Sequence, residues 1–149
     1  MSNVVVVDAS LAIKWVLLEH DSNIAIMLLN TWTSEGRGII APALFTYEVT
    51  NILHRQVVTS KLSYDEAKRG LKKLFSIGVS LKFLPYEDVS THAIELAHHF
   101  KLSATYDAHY IALAHRESCE YWTADTRLWN VVNKELNWIH WLGDYQIAP

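Results

Sequence analysis

Residues 4–7 are four consecutive valines, and the run stops on Asp8. A strand with one wet face alternates apolar and polar residues. An unbroken β-branched run instead suits a strand covered on both sides, as in the parallel sheets of α/β proteins. The chain is therefore expected to build a mainly parallel central sheet between two helical layers, a three-layer α/β/α sandwich. Asp8 then falls at the carboxyl end of a central strand, which is the edge where open α/β sheets bind their ligands.

The rest of the chain fits that scheme. A helix is expected after Asp8, capped by Asp8 or Ser10 and carrying Leu11, Ile13, Trp15, Val16 and Leu18. Asp21 or Ser22 opens a second helix, and "GRGIIAP" reads as turn, short strand and proline stop. A long helix is expected from about Leu44 to Val58, and "SYDE" at 63–66 matches a capping box for a helix reaching Phe75. Val79, Leu81 and Phe83 alternate as a third strand. Helices are then expected from Asp88 or Ser90 to Phe100 and from about Tyr106 to Arg116. "CEYWTAD" reads as a fourth strand followed by a helix, and "WIHWL" as a last short strand. Strands separated by helices require crossover connections, hence parallel pairing. At 149 residues, half of them hydrophobic, the chain is expected to form one domain over residues 1–149.

Carboxylates recur where this scheme hands strands over to helices. Asp8 follows the first strand and Asp125 the fourth, in "WTADTRL". Asp107 opens "TYDAHYIALAH", and Glu48 lies in "ALFTYEVTNILHR" beside Asn51 and Arg55. Singly, each aspartate has a structural role open to it as a helix cap or first-turn acid. For Glu48 the structural alternative is an ion pair with Arg55. Together they are harder to explain that way, because clustered carboxylates repel and raise one another's pKa values unless a cation sits among them. An all-oxygen set favours Mg²⁺ or Mn²⁺ over Zn²⁺, which usually takes His or Cys. Paired divalent ions are suited to phosphodiester hydrolysis.

In order and spacing, "VVVVDAS", "YEVTN", "TYDAHYIALA" and "TAD" resemble the motifs of the PIN-domain nucleases, specifically the VapC-type toxins of toxin–antitoxin pairs. The resemblance covers essentially the whole chain. It implies an Mg²⁺- or Mn²⁺-dependent endoribonuclease cleaving RNA, with Asp8, Glu48, Asp107 and Asp125 as the metal-holding catalytic acids. It also implies a cognate antitoxin, a homodimer, and a groove near the N-terminal helices for the antitoxin peptide. Ser10 and Thr123 match polar positions that orient ligands or waters, and Asn51 joins them as a supporting or substrate-orienting residue. A PIN-like module that binds RNA or protein and cleaves poorly is the alternative.

Charge and composition set limits on these roles. The formal charge of −3 provides no global field for a polyanion, and candidates for local basicity are Arg55, Lys61 and the run Lys68, Arg69, Lys72 and Lys73. The last four also read as a solvated helix face. Cys119 is the single cysteine, which excludes an intrachain disulfide and suits a reducing cytoplasm. No membrane span or signal peptide is expected, since Asp8 ends the only N-terminal apolar run. Among eight histidines, His109 is near enough to Asp107 in sequence to face a site, although helix packing explains it as well. Trp129, Trp138 and Trp141 are expected in the core, with base stacking as the other role open to them.

Overall fold

The computed structural model describes residues 2–145. Its centre is a five-stranded sheet, every pair parallel, formed by β1 (Val4–Val7), β2 (Gly38–Pro42), β3 (Ser80–Lys82), β4 (Glu120–Thr123) and β5 (Ile139–Trp141). The strand order is β3-β2-β1-β4-β5. The valine run occupies the middle position, and Val5, Val6 and Val7 are wholly buried, as a strand covered on both faces requires. From β1 the chain steps outward through β2 to β3, then returns across the sheet to place β4 on the other side of β1. The carboxyl ends of β1 and β4 therefore flank the point where the winding reverses, which is where a crevice opens in this architecture.

The helices are α1 (Ala9–Ala12), α2 (Ser22–Ser34), α3 (Leu44–Val58), α4 (Tyr64–Ser76), α5 (Ser90–His99), α6 (Tyr106–Arg116) and α7 (Thr126–Val132). α6 packs against β1, β2 and β4 and buries Ala108 and the run Tyr110 to Ala114. α5 packs on α6 through Ala93 and Ala97 against Ala108 and Ala112, small side chains that let the two helices approach closely. α4 opens with the expected capping box, in which the Ser63 hydroxyl accepts from the Glu66 N–H and the Glu66 carboxylate accepts from the Ser63 N–H. Its residues Lys68, Arg69, Lys72 and Lys73 are exposed, so this basic run is a solvated face.

Three local expectations differ from the structure. The helix after Asp8 is one turn, followed by a 3-10 turn at Ile13–Trp15, and it ends before Leu18, which is exposed. The Ser22 side chain ends it by tying the next loop, donating to the Leu17 carbonyl and accepting from the Glu19 N–H. Neither Asp88 nor Ser90 caps α5. Arg116 holds the Asp88 carboxylate at 3.4 Å, and the Ser90 hydroxyl lies 3.3 Å from His109. β3 covers only Ser80–Lys82, and Phe83 turns out to solvent instead of continuing the alternation. Trp15 and Trp32 are core residues as expected. Trp129 and Trp141 stack on each other at 5.5 Å, and Trp138 packs beside His115.

Candidate active site

The four acids arrive at the carboxyl edge of the sheet from four elements. Asp8 leaves β1 and caps α1, accepting from the Leu11 N–H at 3.2 Å. Asp125 follows β4 and caps α7, accepting from the Arg127 and Leu128 N–H groups at 2.9 and 3.3 Å. The capping role expected of both is therefore real, and it coexists with any other. Asp107 lies in the first turn of α6 and Glu48 in the second turn of α3. Glu48 does not pair with Arg55. Its Oε1 accepts from the Tyr110 hydroxyl at 2.5 Å, which ties α3 to α6.

Asp8 is 4% exposed, and both of its carboxylate oxygens are occupied. Oδ1 accepts from the Ser10 hydroxyl at 2.6 Å as well as from Leu11, and Oδ2 accepts from the Tyr121 hydroxyl at 2.6 Å and from Thr123. Burial pushes the Asp8 carboxyl up, and these donors pull it back. Thr123 also accepts from the Asp125 N–H at 3.0 Å, and Ser10 accepts from the Ala124 N–H at 3.1 Å. These two hydroxyls therefore stitch the end of β1 to the end of β4 and fix the Asp8 and Asp125 backbones relative to each other. Asn51, one turn beyond Glu48, is exposed and bonds to none of the acids.

The acids feel one another. The Asp107 carboxyl is pushed up to about 6 by burial and by the negative charges of Asp8, Asp125 and Glu48. It has no hydrogen-bond donor among the described residues to relieve it, and the cation whose field reaches it is the exposed Arg127. Glu48 is also raised, by burial and then by Asp8, against the pull of Tyr110. Oxygen-only donors that repel one another are the kind of group that a hard divalent cation can hold together. Among the described residues no group of three or more His, Cys, Asp or Glu side chains is gathered tightly enough to hold an ion.

The PIN domain family model matches residues 5–134, a span that includes all four acids. The chain belongs to the PIN-domain family. Members of this family are nucleases. Among solved structures the PIN domain described here is similar to PAE2754 from Pyrobaculum aerophilum, at 23% identity and a TM-score of 0.61, over 85% of this chain and 78% of that one. It is also similar to VapC20 from Mycobacterium tuberculosis, a sarcin–ricin-loop-cleaving toxin, at 14% identity and a TM-score of 0.64, over 86% of this chain and 95% of that one. At these identities the likeness is one of fold. No curated protein matches the sequence.

Two residues of the PIN-domain edge were not anticipated from sequence. Tyr110 and Tyr121 stack at 5.9 Å with their planes 14° apart, each aiming its hydroxyl at a different acid. Burial and the nearby carboxylates push both phenols far above their usual range, so they remain donors. A hint exists in the sequence, since Tyr110 places a hydroxyl on the all-apolar face of "YIALA". His109 turns away from the acids, as two residues of helix rotation from Asp107 require. Its Nδ1 lies 2.7 Å from the Thr105 carbonyl and its Nε2 faces Ser90.

Proposed function

We propose that this PIN domain is an Mg²⁺- or Mn²⁺-dependent endoribonuclease, the toxin of a toxin–antitoxin pair. The observation that carries the reading is the convergence of Asp8, Glu48, Asp107 and Asp125 on one sheet edge, with Asp107 raised to about 6 by burial and by the charges of the other three acids. These four residues would hold the ion or ions. When bound, such ions supply Lewis-acid stabilisation of the phosphodiester and water activated at neutral pH. The chain's own part is to aim the ligands. Ser10, Tyr121 and Thr123 hold the Asp8 carboxylate in one orientation, and Tyr110 holds that of Glu48. Asp107, with no hydrogen-bond donor among the described residues, is the acid most free to turn toward a cation. Asn51 sits one turn from Glu48, where it can orient substrate.

RNA as the substrate class draws support from the fold shared with VapC20. The antitoxin proposal draws support from apolar surface left uncovered: exposed Leu18 and Ile26 by the N-terminal helices, and a groove of about 300 Å³ between α3 and α4 lined by Leu53, Val57, Tyr64 and Leu71. A homodimer is proposed on the same ground. No helix among the described residues is long and apolar enough to cross a membrane. A cytoplasmic location is proposed on the single cysteine, Cys119, which suits a reducing compartment. The open arrangement of the acids favours a second reading, a PIN-like module that binds RNA or a partner and cleaves poorly. An RNA cleavage assay in Mg²⁺, Mn²⁺ and EDTA decides between them. Metal-dependent products with 5′-phosphate and 3′-hydroxyl ends support the nuclease. Cyclic 2′,3′-phosphate ends refute the metal mechanism, and RNA binding with no cleavage in any condition supports the module.

A further inference from the structure

The opposite edge of the sheet also carries a cavity. Arg37 precedes β2, Glu120 opens β4, Trp138 precedes β5 and His115 lies in the last turn of α6, so all four belong to the amino end of the strands. With Ser118 and Cys119 they line a cavity of about 400 Å³, within the range of about 300–1,000 Å³ usual for small-molecule sites. None of the four acids lines it. Asp107 and His115 both lie on α6, and the helix rise between them sets the cavity about 12 Å along that helix from the acid.

The chemistry of this cavity is set by an ion pair with capacity to spare. The Arg37 Nη2 donates to Glu120 at 2.8 Å across the amino end of β1. Nη1 lies 4.0 Å from Glu35, beyond hydrogen-bond reach, and Nε is buried with no partner among the described residues. A buried donor left unmade costs free energy, and an acceptor that drew the guanidinium edge toward the cavity would recover it. A carboxylate has about four acceptor positions. Besides Arg37, Glu120 meets ring nitrogens of Trp122 and His140, each at 3.4 Å. The half-buried Trp138, its ring tilted 43° to that of His115, supplies a flat apolar wall beside the pair. Burial pushes the Cys119 thiol up to about 11, so it stays protonated and adds to that wall.

A guanidinium beside a carboxylate, next to an aromatic wall, suits a flat ligand that presents acceptors and then donors along one continuous edge. Guanine does so. Its N7 and O6 accept, which is the commonest base contact of arginine, and the adjoining N1 and N2 groups donate. Adenine puts its N6 donor against the guanidinium, and a pyrimidine offers one ring to stack where a purine offers two. We propose that the cavity binds a guanine nucleoside or nucleotide, with Arg37 donating to N7 and O6, Glu120 accepting from N1 and N2, and Trp138 stacking on the ring. The sugar then leaves through the mouth past the exposed Ser118. This site is separate from the acids and does not rest on the nuclease reading.

The test is isothermal titration calorimetry of the full chain with GMP in EDTA, which keeps metal-bridged binding at the acids out of the measurement. GMP is expected to bind with a Kd below about 1 mM, and guanosine within about threefold of it, because the ring and not the phosphate is gripped. AMP and CMP should bind at least about tenfold more weakly, with inosine monophosphate, which lacks the N2 group, in between. Arg37→Lys, which loses the planar fork, should weaken GMP at least about tenfold and Glu120→Gln at least about fivefold, while Trp138→Phe keeps most of the affinity. Glu120→Gln preserves side-chain shape, so it decides the matter if Arg37→Lys melts early. Asp107→Asn should bind GMP as wild type does. No heat with GMP up to about 5 mM, equal affinity for GMP, AMP and CMP, or wild-type affinity in Glu120→Gln overturns the proposal. Loss of GMP binding in Asp107→Asn overturns it too, since that moves the nucleotide to the acids. None of these results bears on metal-dependent cleavage, which is assayed separately.

Discussion

At the start of β4, the carboxyl of Glu120 is held down at about 2 by its hydrogen bond with His140 and by Arg37, whose side chain is 9% exposed and lies 2.8 Å away. Beyond the other end of the strand, among Asp125, Asp8 and Glu48, the Asp107 carboxyl is pushed up to about 6. The chain can therefore supply a counter-charge to a half-buried acid when stability is all that is required. At the carboxyl edge it supplies hydroxyl donors and one exposed arginine, and the acids repel. A site left short of positive charge by its own fold is what the proposed function requires, since a cation from solution would relieve that repulsion.

The contrast breaks most clearly on activity. Asp8→Asn, Asp107→Asn and Asp125→Asn should each lower kcat/KM in RNA cleavage by roughly a hundredfold or more, beyond the range that loss of a positioning partner costs. Glu120→Gln should leave kcat/KM near wild type. If the two ends of β4 respond alike, the division between them is wrong. Binding tests it without catalysis. Mn²⁺ at about a hundred times its Kd should stabilise wild type by about 2.7 kcal/mol, a rise in Tm of roughly 5–10 °C, and stabilise Asp107→Asn far less.

Stability against pH sharpens the same comparison, because the two acids have opposite signs. Asp107 keeps its proton in the folded state to about 6 and releases it near 3.8 when unfolded, so the folded state binds more protons between those values and stability falls as pH rises through them. In EDTA, Asp107→Asn should therefore be more stable than wild type at pH 8, by on the order of 1–2 kcal/mol after allowance for its partial exposure, with the gain gone by about pH 4. Glu120 is depressed, so its contribution is present above its unfolded value near 4.5 and is lost as pH falls toward 2. Glu120→Gln should cost about 1 kcal/mol at pH 7 and progressively less in acid, measured by urea unfolding.

How far the chain was legible follows the range of the interactions. The valine run, the bounds of α3 and α6 and the capping box of α4 were readable because each is set by neighbours along the chain. The acids were readable as a set because each stands at or near a strand-to-helix handover. What the acids touch was not. Arg55 lies two turns along the same helix from Glu48, yet Glu48 bonds to Tyr110, 62 residues away. Asp8 is held by Tyr121 and Thr123, more than a hundred residues on. Such partners are chosen by the parallel register of β1 with β4, which no local pattern states. The early end of the helix after Asp8 has the same origin, since a side chain from the next helix ties the loop.

The sheet ends on both sides in strands of three residues, β3 and β5. Each therefore offers only a few free backbone groups to another chain, which makes strand addition at the rim a poor route to assembly and protects the protein against open-ended polymerisation. That leaves helices and side chains as the larger surfaces on which this chain could meet a partner.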